Sequence, residues 1–144
     1  MKPLIAFDLD GTGRRWPWIS ANTFLLVWDP MRSGCVQSGA QLFGSNTWWF
    51  VWSDGYAVLA ALDNDGDGRL RGDELAGIAG WTDRNGNGKS DTGEVIDVGA
   101  LGIVSIATAA TMRRPSGEPY APHGIKLRDG SMLATFSWAP LARN

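Results

Sequence analysis

Apolar residues in this chain come in short runs, each closed by a turn signal. Leu4–Phe7 ends in the turn-like stretch Asp8-Leu-Asp-Gly-Thr-Gly13 and predicts a strand. Phe24–Trp28 is continuously apolar up to Asp29-Pro30 and predicts a buried strand. Tyr56–Leu62 puts Tyr56, Leu59 and Ala60 on one helical face, with Ser53 or Asp54 available as the cap. Glu74–Trp81 places Leu75, Ile78 and Ala79 at helical spacing and predicts a short helix, weakened by Gly77 and Gly80. Gly93–Val98 predicts another brief helix, Ile103–Thr108 a strand, and Arg113–Pro122 a proline-rich loop. Asp129-Gly130 is a favoured two-residue hairpin turn, pairing Leu127 with Met132 and Ile125 with Ala134 on an apolar face that continues to Phe136 and Trp138. The expected class is α+β, with short helices around a closely spaced loop pair and a small antiparallel sheet. One domain over 1–144 is expected: β-rich 1–52, the loop pair in 53–99, and β-rich 100–144.

Composition narrows the function. Hydrophobic residues at 44% and charged residues at 19% exclude a disordered chain. A net charge of −2 without a basic stripe argues against nucleic acid as a partner. No apolar run is long enough to span a membrane. The single cysteine, Cys35, excludes an internal disulfide. Charge is unevenly distributed: Asp63–Glu94 holds eight acidic and four basic side chains, a local charge of −4. Such an acidic knot in a nearly neutral chain points to bound cations.

Two twelve-residue segments carry that chemistry. Calcium takes six to eight oxygens, and a loop with acids or amides at its first, third and fifth positions, glycine at the sixth and glutamate at the twelfth can wrap it. DNDGDGRLRGDE supplies Asp63, Asp65, Asp67, the Arg69 carbonyl and Glu74, with water expected at the ninth position because Arg71 cannot ligate. DRNGNGKSDTGE supplies Asp83, Asn85, Asn87, the Lys89 carbonyl, Asp91 and Glu94. The eighth positions, Leu70 and Ser90, differ in polarity, which argues against ordinary strand pairing between the loops. Ion-free turns of this composition would crowd carboxylates without a counter-charge. The expectation is therefore two calcium ions, although trivalent lanthanides suit the same cage. Only Leu75–Thr82 separates the loops, which leaves no hinge to open and favours a structural staple over a sensor.

Beyond the loops, the motif order resembles the EF-hand segments of bacterial RTX/haemolysin-type and planctomycete secreted calcium-binding proteins. The matching pieces are FDLDGTG, LLVWDP…SGAQLFG, WSDGYAVLAALDNDGDGRLRGDEL, WTDRNGNGKSDTGEV, LGI and GIKLRDGS. This resemblance implies a secreted or cell-surface calcium module without catalytic activity, its export signal lying outside this sequence. It also makes Asp29–Leu42 a decayed calcium loop: Met31, Ser33 and Gln41 stand where oxygens are expected. The Asp8/Asp10/Thr12 turn keeps more oxygens but lacks a closing glutamate, and is a candidate third, weaker site.

Two alternatives use other features. LIAFDLDGTG is similar to the nucleophile motif of haloacid-dehalogenase-type phosphatases, which would make Asp8 the phosphoryl acceptor, Asp10 the acid/base and magnesium the cofactor. The alternating strand–helix pattern of that fold is missing from the sequence. Eight tryptophans offer a second alternative, a calcium-shaped adhesion module gripping a polysaccharide or a protein, although tryptophans more often fill the core.

Overall fold

Short apolar runs punctuated by glycine build strands here in preference to helices. The computed structural model describes residues 4–9, 11–12, 15–18, 23–44, 47–49, 52 and 54–137. In chain order the elements are β1 (Leu4–Ala6), β2 (Arg15–Pro17), β3 (Leu25–Trp28), α1 (Gly55–Ala61), β4 (Arg69–Arg71) and β5 (Ile78–Trp81). They continue with β6 (Val95–Asp97), β7 (Ile103–Ala107), β8 (Met112–Arg113), β9 (Pro119–Leu127) and β10 (Met132–Phe136). The described residues thus form ten strands in three antiparallel sheets with one short helix. β1 pairs with β2; β3, β5 and β6 form a second sheet in that order; the third runs β10-β9-β7-β4, with β8 beside β9.

The fold is mainly β, which overturns the α+β expectation. Glu74–Trp81 is not a helix: a 3-10 turn over Gly72–Leu75 gives way to β5. All four β5 residues are buried between β3 and β6. A strand covered on both faces is apolar throughout, so its spacing also fits a helical template. A Cβ at Gly80 would stand 2.9 Å from Leu101 and 3.0 Å from Phe24, a close approach that a side chain would block. Gly93–Val98 likewise becomes a turn followed by β6, and Arg113–Pro122 contributes to β8 and β9.

The C-terminal hairpin forms one residue out of the expected register. Met132 stands opposite Lys126 and Leu133 opposite Ile125. Asp129 Oδ1 accepts from both the N–H and the hydroxyl of Ser131, at 2.9 and 2.6 Å, and Leu127 bonds to the Ser131 carbonyl at 2.9 Å. These bonds close a longer loop than the two-residue turn, leaving Met132, Leu133 and Ala134 exposed; Trp138 lies outside the described residues. α1 matches its expected position, capped by Asp54, whose Oδ1 accepts from the Ala57 N–H at 3.0 Å.

Two cores result. One gathers Tyr56, Leu59, Leu70, Ile78, Val98, Ile103, Ile106, Ala121 and Ile125; the other gathers Phe7, Trp18, Val27, Val36, Leu42, Ala79 and Trp81. β5 lies between them, with Ile78 in the first and Ala79 and Trp81 in the second.

Candidate metal centre

Asp63 opens the first loop directly after α1, its N–H bonded to the Ala60 carbonyl at 3.2 Å. The loop's eighth residue, Leu70, is fully buried on β4 opposite Ile106 of β7. Arg69 fixes the same strand from outside, with Nε on the Ser105 hydroxyl at 2.9 Å and the guanidinium reaching the His123 and Gly124 carbonyls. The 3-10 turn after β4 brings Glu74 back over the loop. Asp63, Asp65, Asp67 and Glu74 each present a carboxylate oxygen, all within 4.8 Å of one another. The sequence named these four side chains, and the fold brings them together.

The second loop hangs between β5 and β6, closed by a bond from the Thr82 N–H to the Glu94 carbonyl at 3.1 Å. Asp83 and Glu94 are buried at 2% and 4% exposure, whereas Asn85, Asn87, Lys89 and Asp91 face solvent. Trp18 Nε1 donates to Asp83 Oδ2 at 2.6 Å, and Trp81 Nε1 to Glu94 Oε1 at 3.3 Å. The Asn85 and Asn87 amides both donate to Asp91 Oδ2 at 3.0 Å. The three carboxylates of this loop do not converge as those of the first loop do; the first loop's cluster is the one such acidic group among the described residues.

The two loops nevertheless share a common framework of bonds. The first aspartate accepts from the sixth residue, Gly68 N–H to Asp63 Oδ2 at 2.9 Å and Gly88 N–H to Asp83 Oδ2 at 2.7 Å. The third side chain accepts from the fifth N–H and the fifth from the seventh: Asp67 to Asp65 and Arg69 to Asp67 in one, Asn87 to Asn85 and Lys89 to Asn87 in the other. The closing glutamate accepts from the ninth N–H, Arg71 to Glu74 at 3.1 Å and Asp91 to Glu94 at 3.0 Å. Its other oxygen accepts near the loop start, from Asp65 in the first loop and Arg84 in the second. Fourth and sixth residues are left-handed in both, with φ of 68° and 86° in the first and 69° and 71° in the second. One oxygen stands apart: Oδ1 of Asp63 and Oδ1 of Asp83 are each shut off from solvent, and no donor among the described residues reaches either. A buried carboxylate oxygen calls for a partner, and a hard cation in an oxygen-lined loop supplies one.

The family model described as the SPM domain matches residues 1–127. The chain belongs to the SPM domain family. This SPM domain is also similar to iron-regulated protein FrpA of Neisseria meningitidis serogroup C, at 38% identity over 97 residues, which is 64% of this chain and 9% of that protein. It therefore spans about a tenth of that relative's length. The EF-hand resemblance is thereby corrected. Strands, and not a pair of helices, flank the second loop of the SPM domain, and only a 3-10 turn follows the first.

Electrostatics in the first loop of the SPM domain follow from crowding. Burial pushes the Asp63 carboxyl up, but the Gly68 N–H and the contacts with Asp65 and Glu74 outweigh it and hold it below its ordinary value. At Asp65 the Asp67 N–H pulls down. The shared contact with Asp63, burial, and the charges of Asp67 and Glu74 prevail, so Asp65 is raised. In the second loop the Asn85 and Asn87 amides hold Asp91 low. The phosphatase-like Asp8 lies exposed and bridged to Ser38, Asp10 is outside the described residues, and every ladder in the three sheets is antiparallel.

Proposed function

We propose that this SPM domain binds two calcium ions, one in each of the loops Asp63–Glu74 and Asp83–Glu94, and that the ions staple the fold. The observation that carries this reading is the repeated pattern of bonds, with the same inner oxygen of the first aspartate buried and unpartnered in both loops. Asp63, Asp65, Asp67 and Glu74 supply carboxylates to the first ion. Asp83 and Glu94 anchor the second, with the Asn85 and Asn87 oxygens and Asp91 beside them, and the Arg69 and Lys89 carbonyls complete the sets. Oxygen-only ligands and loose loop geometry suit calcium better than the octahedral demand of magnesium.

No catalytic role is proposed. Among the described residues no helix is long and apolar enough to cross a membrane. The proposed setting is a secreted or surface-displayed protein, where free calcium is high enough to fill even weak sites. Calorimetry on chelator-treated protein should return two calcium ions per chain. Glu74→Gln should remove the tighter event, because the first loop carries more carboxylates, and Glu94→Gln the weaker one. A stoichiometry of one or none would overturn the reading.

A further inference from the structure

Residues 29–41 repeat the build of the two acidic loops with neutral groups. Asp29 stands first, and its Oδ2 accepts from the sixth residue, Gly34, at 2.9 Å, as Asp63 does from Gly68 and Asp83 from Gly88. The seventh N–H, that of Cys35, bonds to the fifth side chain, Ser33 Oγ, at 3.2 Å. The ninth N–H, that of Gln37, bonds to Gln41 Oε1 at 2.8 Å, the role of Glu74 and Glu94 taken one residue later. Fourth and sixth residues are again left-handed, Arg32 at φ 53° and Gly34 at 71°. A 3-10 turn, Gly39–Gln41, ends the segment, as Gly72–Leu75 ends the first acidic loop.

The difference lies at the centre. Asp29 Oδ1, the counterpart of the unpartnered oxygens, accepts from the Ser33 hydroxyl at 2.7 Å and the Ser33 N–H at 2.9 Å. The seventh carbonyl, Cys35 O, which would face an ion, accepts from the Gln41 amide at 2.9 Å. Met31, at the third position, is 85% exposed. Hydrogen-bond donors thus occupy the two places where a cation's charge would be needed.

This loop is joined to the second acidic loop at equivalent positions. Ser90, eighth in 83–94, donates its hydroxyl toward the Val36 carbonyl and accepts from the Val36 N–H at 2.8 Å; Val36 is eighth in 29–41 and buried in the second core. Leu70, eighth in the first loop, pairs with β7 instead.

We propose that residues 29–41 are a third loop of the same build that takes no cation, the Ser33 hydroxyl and Gln41 carboxamide standing in its place, and that this loop is the fixed partner on which 83–94 closes. The proposal rests on the calcium reading for the other two loops but is tested separately from it.

Amide hydrogen exchange, read residue by residue with calcium and with chelator, is the first test. The N–H groups of Ser33, Gly34 and Gln37 should be equally protected in both conditions, while those of Gly68 and Gly88 gain protection with calcium. Protection of 29–41 that appears only with calcium overturns the proposal, whereas an absence of any calcium effect at Gly68 and Gly88 overturns the calcium reading and leaves this one standing. The second test restores the oxygens with Met31→Asp, Ser33→Asp and Gln41→Glu combined. A folded variant should bind one more calcium than the wild type, whatever the wild-type count. An unchanged count in a folded variant overturns the proposal, and if the variant does not fold the exchange experiment decides.

Discussion

Trp18 donates its indole N–H to Asp83 at 2.6 Å, joining residues 65 positions apart. Trp18 also packs on Phe7 and Trp81, with ring centroids 5.3 and 5.8 Å away. The bond ties the N-terminal segment to the first aspartate of the second loop. Trp18→Phe keeps the apolar ring and removes the donor, leaving Asp83 Oδ2 with the Gly88 N–H. A buried carboxylate that loses a charged hydrogen bond costs about 1–3 kcal/mol. Support for a ligand from outside the coordination sphere is worth about tenfold in affinity. The variant should melt earlier and weaken only the second calorimetric calcium event. An unaltered second event would show that Trp18 packs beside the site without supporting it.

Chelation should destabilise the domain. Free calcium at about a hundred times its dissociation constant contributes roughly 2.7 kcal/mol per site. For a chain of this size that corresponds to a melting shift of about ten degrees per filled site. Chelator should lower the melting temperature and increase binding of a hydrophobic dye, and calcium should reverse both. A sensor would show dye binding that rises with calcium.

Two equivalent glycines separate backbone strain from contact. Gly68 and Gly88 are both left-handed, at φ 86° and 71°, but a Cβ at Gly68 meets open space whereas one at Gly88 would stand 2.2 Å from Ile5 Cγ2 on β1. Gly68→Ala should cost about 1–2 kcal/mol from the backbone alone. Gly88→Ala should cost clearly more and loosen β1, as seen by faster amide exchange at residues 5–6. Equal losses of stability in the two variants would mean that β1 does not bear on the loop.

Asp29 makes stability depend on acid. Burial raises its carboxyl, but bonds from Gly34 and Ser33 outweigh burial and hold it below its ordinary value. A group depressed on folding contributes stability that is present above its unfolded value and is lost as pH falls through its folded value. Below about pH 4 the chelated wild type should therefore lose melting temperature faster than Asp29→Asn, which starts lower and does not titrate. Parallel curves would exclude Asp29 as the source of that acid sensitivity.

The acidic cluster of the first loop was legible because its carboxylates sit at fixed spacings in one short segment: Asp63, Asp65, Asp67 and Glu74 need no distant partner to be recognised. What could not be read depends on residues far away. Leu75, Ile78 and Ala79 fit a helix until β3 and β6 pair along both edges of Ile78–Trp81 and the two cores cover its faces. Nothing near Trp18 announces Asp83. The hairpin slipped by one residue because Ser131 bonds to Asp129, a local choice that the dipeptide Asp-Gly alone does not decide. In 29–41, Met31 and Ser33 look like losses until Ser33 is seen bonded to Asp29.

β5 shows Ile78 to one core and Trp81 to the other, so the two halves of the chain share a single internal wall. Neither loop is then a cassette that could be cut out and grafted elsewhere. A fragment ending before Ile78 strips the first core of a fully buried side chain, and one beginning there deprives β5 of β3. Insertions that spare the exposed hairpin tip at 128–131 but fall between Leu75 and Thr82 should abolish folding of both halves at once.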